Sequence, residues 1–309
     1  MARTTPGPPV DITAVFPVLD AYSRTAVRLH PRPGKPSMHD SHMGGPLIWP
    51  SDEPWPTCGR TVKVAAAPFR ERGWLTMLDR VPESPIPMVG VAQFYARDIP
   101  EIPFPEGADL LQVLWCPGEH DMEDIGPGPA PMLVWRRADD LTDVLVEPPM
   151  RDDGAPAGDF GSESYLPRPC VLHPERVTEY PHADELPERL KVALKAWDGE
   201  FGYAYSFLLS IAPGCKIGGW ESWHLTDMYA LPCGVCGTET EPLLKVDSSE
   251  WDGGSDPRWR PMEERHLERG STEYKESVRP TTLRLGRYAA LTIFLCPRSA
   301  DHGFRMTIQ

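Results

Sequence analysis

With 309 residues, 40% hydrophobic and 25% charged, the chain is long enough for one large or two ordinary globular domains. Its formal charge, 31 − 45 = −14, repels phosphate backbones, and its positive runs are as short as Arg136-Arg137, which argues against nucleic-acid binding. No stretch approaches the ~18 apolar residues of a membrane span, and the N-terminus MARTTPGPPV has no signal-peptide core, so a cytoplasmic protein is expected.

The seven cysteines should then be thiols or metal ligands rather than disulfides. The 37 prolines lie well above the roughly 5% background. Proline breaks helix interiors and central strands, so short strands, many turns and few helices are expected.

Residues 1–10 are proline-rich and expected to be flexible. Ala14, Val15, Val18, Leu19 and Tyr22 fit a short amphipathic helix from Asp11 to about Ser23, with Asp11 as cap and Pro17 as a possible start. A strand is expected over Thr25 to His30. A loop follows, then a Pro-, Trp- and Gly-dense stretch that includes Gly44-Gly45-Pro46-Leu47-Ile48-Trp49-Pro50. Further strands are expected over Pro87 to Tyr95, with Gln93 buried in it, Asp109 to Cys116, Ala130 to Trp135 and Asp143 to Glu147.

Polar, glycine-rich Met150 to Ser164 reads as a linker. This gives one domain, 11–309, with halves of about 11–150 and 165–309 and a linker at about 151–164. In the second half, Leu186, Leu190, Ala193, Leu194 and Trp197 predict the best helix, capped by Asp184 and ended by Gly199. Strands follow over Pro242 to Val246, Leu283 to Leu285, Ala289 to Cys296 and Phe304 to Gln309, the last with Phe304, Met306 and Ile308 on one face. Between them, Asp247 to Pro280 is charged and irregular, with Trp251 and Trp259 as anchors.

The halves resemble each other. Gly44-Gly45-Pro46-Leu47-Ile48-Trp49 pairs with Gly218-Gly219-Trp220-Glu221-Ser222-Trp223 at 218 − 44 = 174. Leu111 to Pro117 pairs with Leu291 to Pro297 at 291 − 111 = 180. Cysteines keep the same spacing, 233 − 58 = 175 and 296 − 116 = 180. An internal duplication is therefore expected.

Cys233-Gly234-Val235-Cys236 and the later Cys296 and His302 supply three thiols and one imidazole. Two residues between thiols bring both sulfurs to one point, and this donor set suits tetrahedral, structural Zn2+. Four protein ligands leave no position for water, which argues against catalysis. Unliganded thiols and a redox pair are the other readings, though no thioredoxin-like pattern surrounds the motif. Cys58, Cys116 and His120 form the remnant of a second such site, lacking a counterpart of Cys236.

His39-Asp40-Ser41-His42 resembles a catalytic cluster, but Asp and Ser in loops more often cap turns. Cys215 has no arranged His/Asn companions, Cys170 reads as packed, and Trp251-Asp252-Gly253-Gly254 as a turn beside an anchor. No GxGxxG, Walker, GxSxG or HExxH motif occurs.

At Gly44-Gly45-Pro46 with its Trp-Pro segments, at Gln93 in VGVAQF, and at Lys216-Ile217-Gly218-Gly219-Trp220, the chain resembles the YwqG-like bacterial family, a domain of unknown function. The cysteine pair with a late Cys/His resembles a zinc-bearing subset. The resemblance implies a β-rich α+β fold and supplies no catalytic residues. It departs where that family has Pro and then Gln after the second Gly-Gly-aromatic; Glu221 and His224-Leu225 stand here.

The resulting expectation is a β-rich, mostly antiparallel α+β protein of two similar halves. Functionally it is a non-enzymatic, zinc-stabilised binding or interaction module whose acidic surface suits a basic protein partner, as in an immunity or antitoxin role. The alternative is a hydrolase or small-molecule enzyme with its site in the groove between the halves, using His39, Asp40 and Asp227.

Overall fold

The computed structural model describes residues 2–65, 77–122, 126–145, 162–202 and 204–309. The fold is β-rich, mostly antiparallel, with few helices. The expected linker lies, up to residue 161, outside the described residues.

The second sheet, so called because the second half supplies all but one of its strands, comprises β1 (Arg24–Arg28), β12 (Glu175–Glu179), β13 (Lys216–Gly218), β14 (Glu241–Asp247), β15 (Ala290–Leu295) and β16 (Phe304–Ile308), in the order β12-β1-β13-β14-β15-β16. The other runs β2 (Arg32–Pro33), β11 (Cys170–Val171), β3 (His42–Met43), β8 (Val89–Tyr95) and β9 (Leu110–Met122). Beyond β9 lie β10 (Gly126–Arg136) and the hairpin of β5 (Val62–Ala65) and β6 (Met77–Arg80). A small ladder joins β4 (Thr57–Cys58) to β7 (Ile86–Pro87).

Each sheet takes its second strand from the other half. β1 sits between β12 and β13, and β11 sits between β2 and β3. The chain crosses at Leu29, whose backbone N–H donates to Cys215 O at 2.9 Å and whose carbonyl accepts His173 N–H at 2.9 Å.

Alternation along the strands sends one face of each sheet into a shared core. Val27, Ile217, Leu244, Leu291 and Ile293 meet Val91, Phe94, Leu111, Val113 and Trp115 there. Each such side chain contributes roughly 1.5–3 kcal/mol on burial. Phe304, Met306 and Ile308 share that core face as expected. A separate cluster packs α2 (Glu188–Glu200), through Leu190, Leu194 and Trp197, against Leu19 and Tyr205.

Several local expectations change. Asp11 caps α1 (Ile12–Val15), accepting from the Thr13 and Ala14 N–H groups, but Pro17 restarts the chain as a 3-10 helix over Pro17–Tyr22. Pro187, not Asp184, stands at the cap of α2; Asp184 lies in the preceding 3-10 turn. That helix runs through Gly199 and is followed by Gly202 in the left-handed region. Val144 forms only an isolated bridge to Pro50, and Glu147 lies outside the described residues. Leu283 and Leu285 are buried, but positive φ at Thr282, Gly286 and Tyr288 breaks the extended run.

The charged stretch after Asp247 is more regular than expected. It contains α3 (Asp256–Trp259) and α4 (Thr272–Val278), the latter capped by Ser271 accepting Tyr274 N–H at 3.1 Å. Trp251 and Trp259 are buried as anchors. The N-terminal residues are held to the body: Met262 N–H donates to Thr4 O at 2.9 Å, and Thr5 N–H to Glu175 at 2.7 Å.

Candidate metal centre

β14 and β15 are antiparallel, with Glu241 opposite Leu295. The loop entering β14 and the loop leaving β15 therefore emerge at the same end of the sheet. The first is a tight turn closed by a Pro232–Glu239 bridge. Within it Cys233 N–H donates to Thr238 O at 2.8 Å and Gly237 N–H to Cys233 O at 2.9 Å. Gly237 has φ +68° with open space around a would-be Cβ, so glycine is needed for conformation rather than room. The Val235 N–H points at Cys233 Sγ, 3.4 Å away.

The second loop places Cys296 directly after β15 and His302 at the end of a 3-10 turn, Ala300–His302. Ser299 caps this turn, and Gly303 at φ +73° leads into β16.

The ligand atoms of Cys233, Cys236, Cys296 and His302 all lie within 4.8 Å of one another. Cys236 Sγ is 3.5 Å from Cys296 Sγ, and Cys233 Sγ is 3.7 Å from His302 Nδ1. With Zn–S of ~2.3 Å and Zn–N of ~2.05 Å, a tetrahedron has edges of about 3.8 Å (S–S) and about 3.6 Å (S–N). The donor set and spacing thus fit a closed four-coordinate ion. Thr238, beside the sulfur, pulls the Cys236 thiol down to about 6, favouring the thiolate that binds metal. A metal ion can be held here; its identity is not fixed by the donors alone.

Cys58, Cys116 and His120 also converge, with ligand atoms within 4.8 Å and all three residues buried. The remaining sequence candidates have structural duties. In the His39 to His42 stretch, Asp40 accepts Ser37 N–H at 2.8 Å, and Ser41 donates to Asp98 at 2.6 Å. His42 bridges Gly45 N–H and the Pro46 carbonyl. Burial brings its pKa down to about 4, so it stays neutral. Asp252 accepts from Gly254 and Ser255 in a turn. Cys170 donates to Pro280 O, and Cys215 Sγ accepts Asp247 N–H. His39, Asp40 and Asp227 line none of the clefts described here.

The Gly-Gly segments acquire a physical role. Gln93 accepts Ile48 N–H at 2.9 Å and donates to Met38 O at 2.7 Å, and Gln112 donates to Ile48 O at 2.5 Å and to Gln93 at 3.0 Å. This glutamine pair fastens the first Gly-Gly-Pro loop to β8 and β9. In the other sheet, Lys216 Nζ binds both oxygens of Glu179 at 2.7 Å and the Trp220 carbonyl at 2.7 Å, fastening the second loop. Lys245 adds a bond to Ser222 Oγ at 2.6 Å.

Sequence reading missed a cleft of about 560 Å³ on the second sheet's outer side. Ser222, Trp223, His224, Lys245, Asp247 and Trp251 are among its lining residues. Its walls come from several distant segments, which no local motif marks. A groove of about 880 Å³ does separate Glu101–Glu106 from Gly218–Gly219 and Leu295–Asp301.

No family model matches this chain, and no curated protein is detectably similar to it. Among the described residues no helix is long and apolar enough to cross a membrane.

Proposed function

We propose that this chain is a non-enzymatic, YwqG-like binding module of the bacterial cytoplasm, stabilised by one structural Zn2+ on Cys233, Cys236, Cys296 and His302. The observation that carries this reading is the closed set of four donors, within 4.8 Å of one another. It leaves no coordination position for a substrate or an activated water. The ion would tie Cys236 to Cys296 across 296 − 236 = 60 positions, pinning the loops at one end of the second sheet. His39, Asp40 and Asp227 do not line the groove between the halves, which weighs against the hydrolase alternative.

The net charge of −14 suits a basic protein partner, which would also serve an immunity- or antitoxin-like role. The test is capture from cells of the source type at low and moderate salt, using zinc-loaded full chain as bait. A basic protein retained at low salt and released as salt rises supports the reading. Recovery of no basic protein, or turnover of a small molecule in the groove, contradicts it.

A further inference from the structure

The cluster of the first half is built like a metal site, not like three thiol and imidazole side chains that happen to pack together. Cys116 and His120 are four apart on β9. In a regular strand, residues four apart are separated by roughly 13 Å. Here the register against β10 breaks: Cys116 faces Ala130 while His120 faces Gly128, so four steps on β9 oppose two on β10. The bulge folds the strand back until the ligand atoms of both residues lie within 4.8 Å of each other and of Cys58 Sγ.

Gly118 sits at the apex. A Cβ there would stand 3.4 Å from Cys116 Sγ, 3.4 Å from His120 Nε2, and 2.6 Å from Val62 Cγ1. Only glycine lets the backbone pass this close. His120 Nδ1 is 2.9 Å from the Thr61 carbonyl, which accepts its proton and leaves the Nε2 lone pair directed at the sulfurs, 3.8 Å from Cys58 Sγ. Metal-binding histidines are oriented by such a bond on the far nitrogen. The distance is close to the ~3.6 Å S–N edge of a zinc tetrahedron.

The two centres share a sequence spacing but sit differently on their strands: Cys58 ends β4 and both Cys116 and His120 lie within β9, whereas Cys233 is in the loop before β14, Cys296 directly follows β15 and His302 precedes β16. Cys58-Gly59-Arg60-Thr61 aligns with Cys233-Gly234-Val235-Cys236, since 236 − 175 = 61. Thr61 thus holds the sequence position of Cys236 and brings no thiol. Among the described residues no further Cys, His or carboxylate joins the cluster. Both Thr61 and His120 line a cleft of about 310 Å³, together with Arg60, Lys63, Asp79 and Asp121.

We propose that Cys58, Cys116 and His120 bind a second zinc-class ion whose fourth position is open to water or a small anion from this cleft. The first centre is closed and structural; this one is coordinatively unsaturated. It goes beyond the binding-module reading and does not depend on it.

The test uses the full chain purified from zinc-supplemented culture. Metal analysis should find two ions per chain in the wild type and one in Cys58→Ser. One should also remain in Cys236→Ser, which reports the other centre separately. After cobalt substitution, azide should shift the wild-type visible bands. It should leave unchanged the spectrum of Cys58→Ser, which keeps only the closed centre. One ion in the wild type, with Cys58→Ser also holding one, overturns the proposal. So does a two-ion wild type whose spectrum ignores azide. If Cys58→Ser fails to fold, the wild type decides: two ions with azide-sensitive bands support the proposal, and one ion, or two with azide-insensitive bands, overturns it.

Discussion

Replacing Lys216 with methionine keeps side-chain length and removes the charge that holds Glu179. Glu179 and Lys216 are 0% and 1% exposed as side chains. The carboxylate accepts two bonds from Lys216 Nζ at 2.7 Å, Ala212 N–H at 2.9 Å and Trp220 N–H at 2.8 Å. Lys216→Met leaves a buried carboxylate with two backbone donors, and strips the Trp220 carbonyl of its partner. Breaking a buried pair from one side costs about 3–5 kcal/mol, a large part of a typical stability of about 5–15 kcal/mol.

Equilibrium urea unfolding of the zinc-loaded chain should show this loss at unchanged m-value. Lys216→Met/Glu179→Leu should recover much of the loss, because no unpaired charge remains. A loss under about 1 kcal/mol in Lys216→Met would refute the assignment of this pair as the fastener of the second Gly-Gly loop, since breaking a buried pair costs more.

Other outcomes follow from the same geometry. Gly219→Ala should destabilise strongly in thermal melts, because Gly219 has φ +76° and a Cβ would stand 2.2 Å from Glu179 Oε2; an unchanged Tm contradicts that packing. Gln93→Leu should lose about 1–3 kcal/mol in urea unfolding, leaving the buried Ile48 N–H unpaired, while the Met38 carbonyl keeps the Tyr95 hydroxyl as donor; near-neutral behaviour contradicts the role given to the glutamine pair. Burial pushes the Glu185 carboxyl up to about 7 from 4.5, and its Oε1 has no hydrogen-bond partner among the described residues. Its contribution is full below pH 4.5 and is lost as pH rises through 7, at most about 3 kcal/mol before solvent screening. Glu185→Gln should therefore gain on the wild type as pH goes from 5 to 8, and a pH-independent difference would contradict it.

What could be read in the sequence was what is local. The apolar runs VGVAQFY and LLQVLWC marked strands buried on both faces, and alternation in FRMTIQ marked one that turns Phe304, Met306 and Ile308 to the shared core. The Cys233–Cys236 turn was visible because two thiols two residues apart carry their geometry with them. The pairing of β1 with β13 and of β11 with β3 was not visible, because exchange of a strand between sheets leaves no mark on either strand's own pattern. The partner of Glu179 could not be read either: residues 179 and 216 lie on strands that do not pair with each other, with β1 between them. Leu283 to Leu285 carries the composition of a strand, yet left-handed residues on both sides divert it. The bulge that joins Cys116 to His120 depends on Gly118 and on a register shift that only the folded hairpin shows.

The central claim is that a metal ion on Cys233, Cys236, Cys296 and His302 holds the second sheet's end together. Thermal unfolding of Cys58→Ser chain, with and without a zinc chelator, isolates that centre. One ion per chain, lost on chelation together with a marked fall in Tm, is the predicted result. A chain that carries no metal, or one whose Tm is the same before and after its ion is removed, contradicts the account.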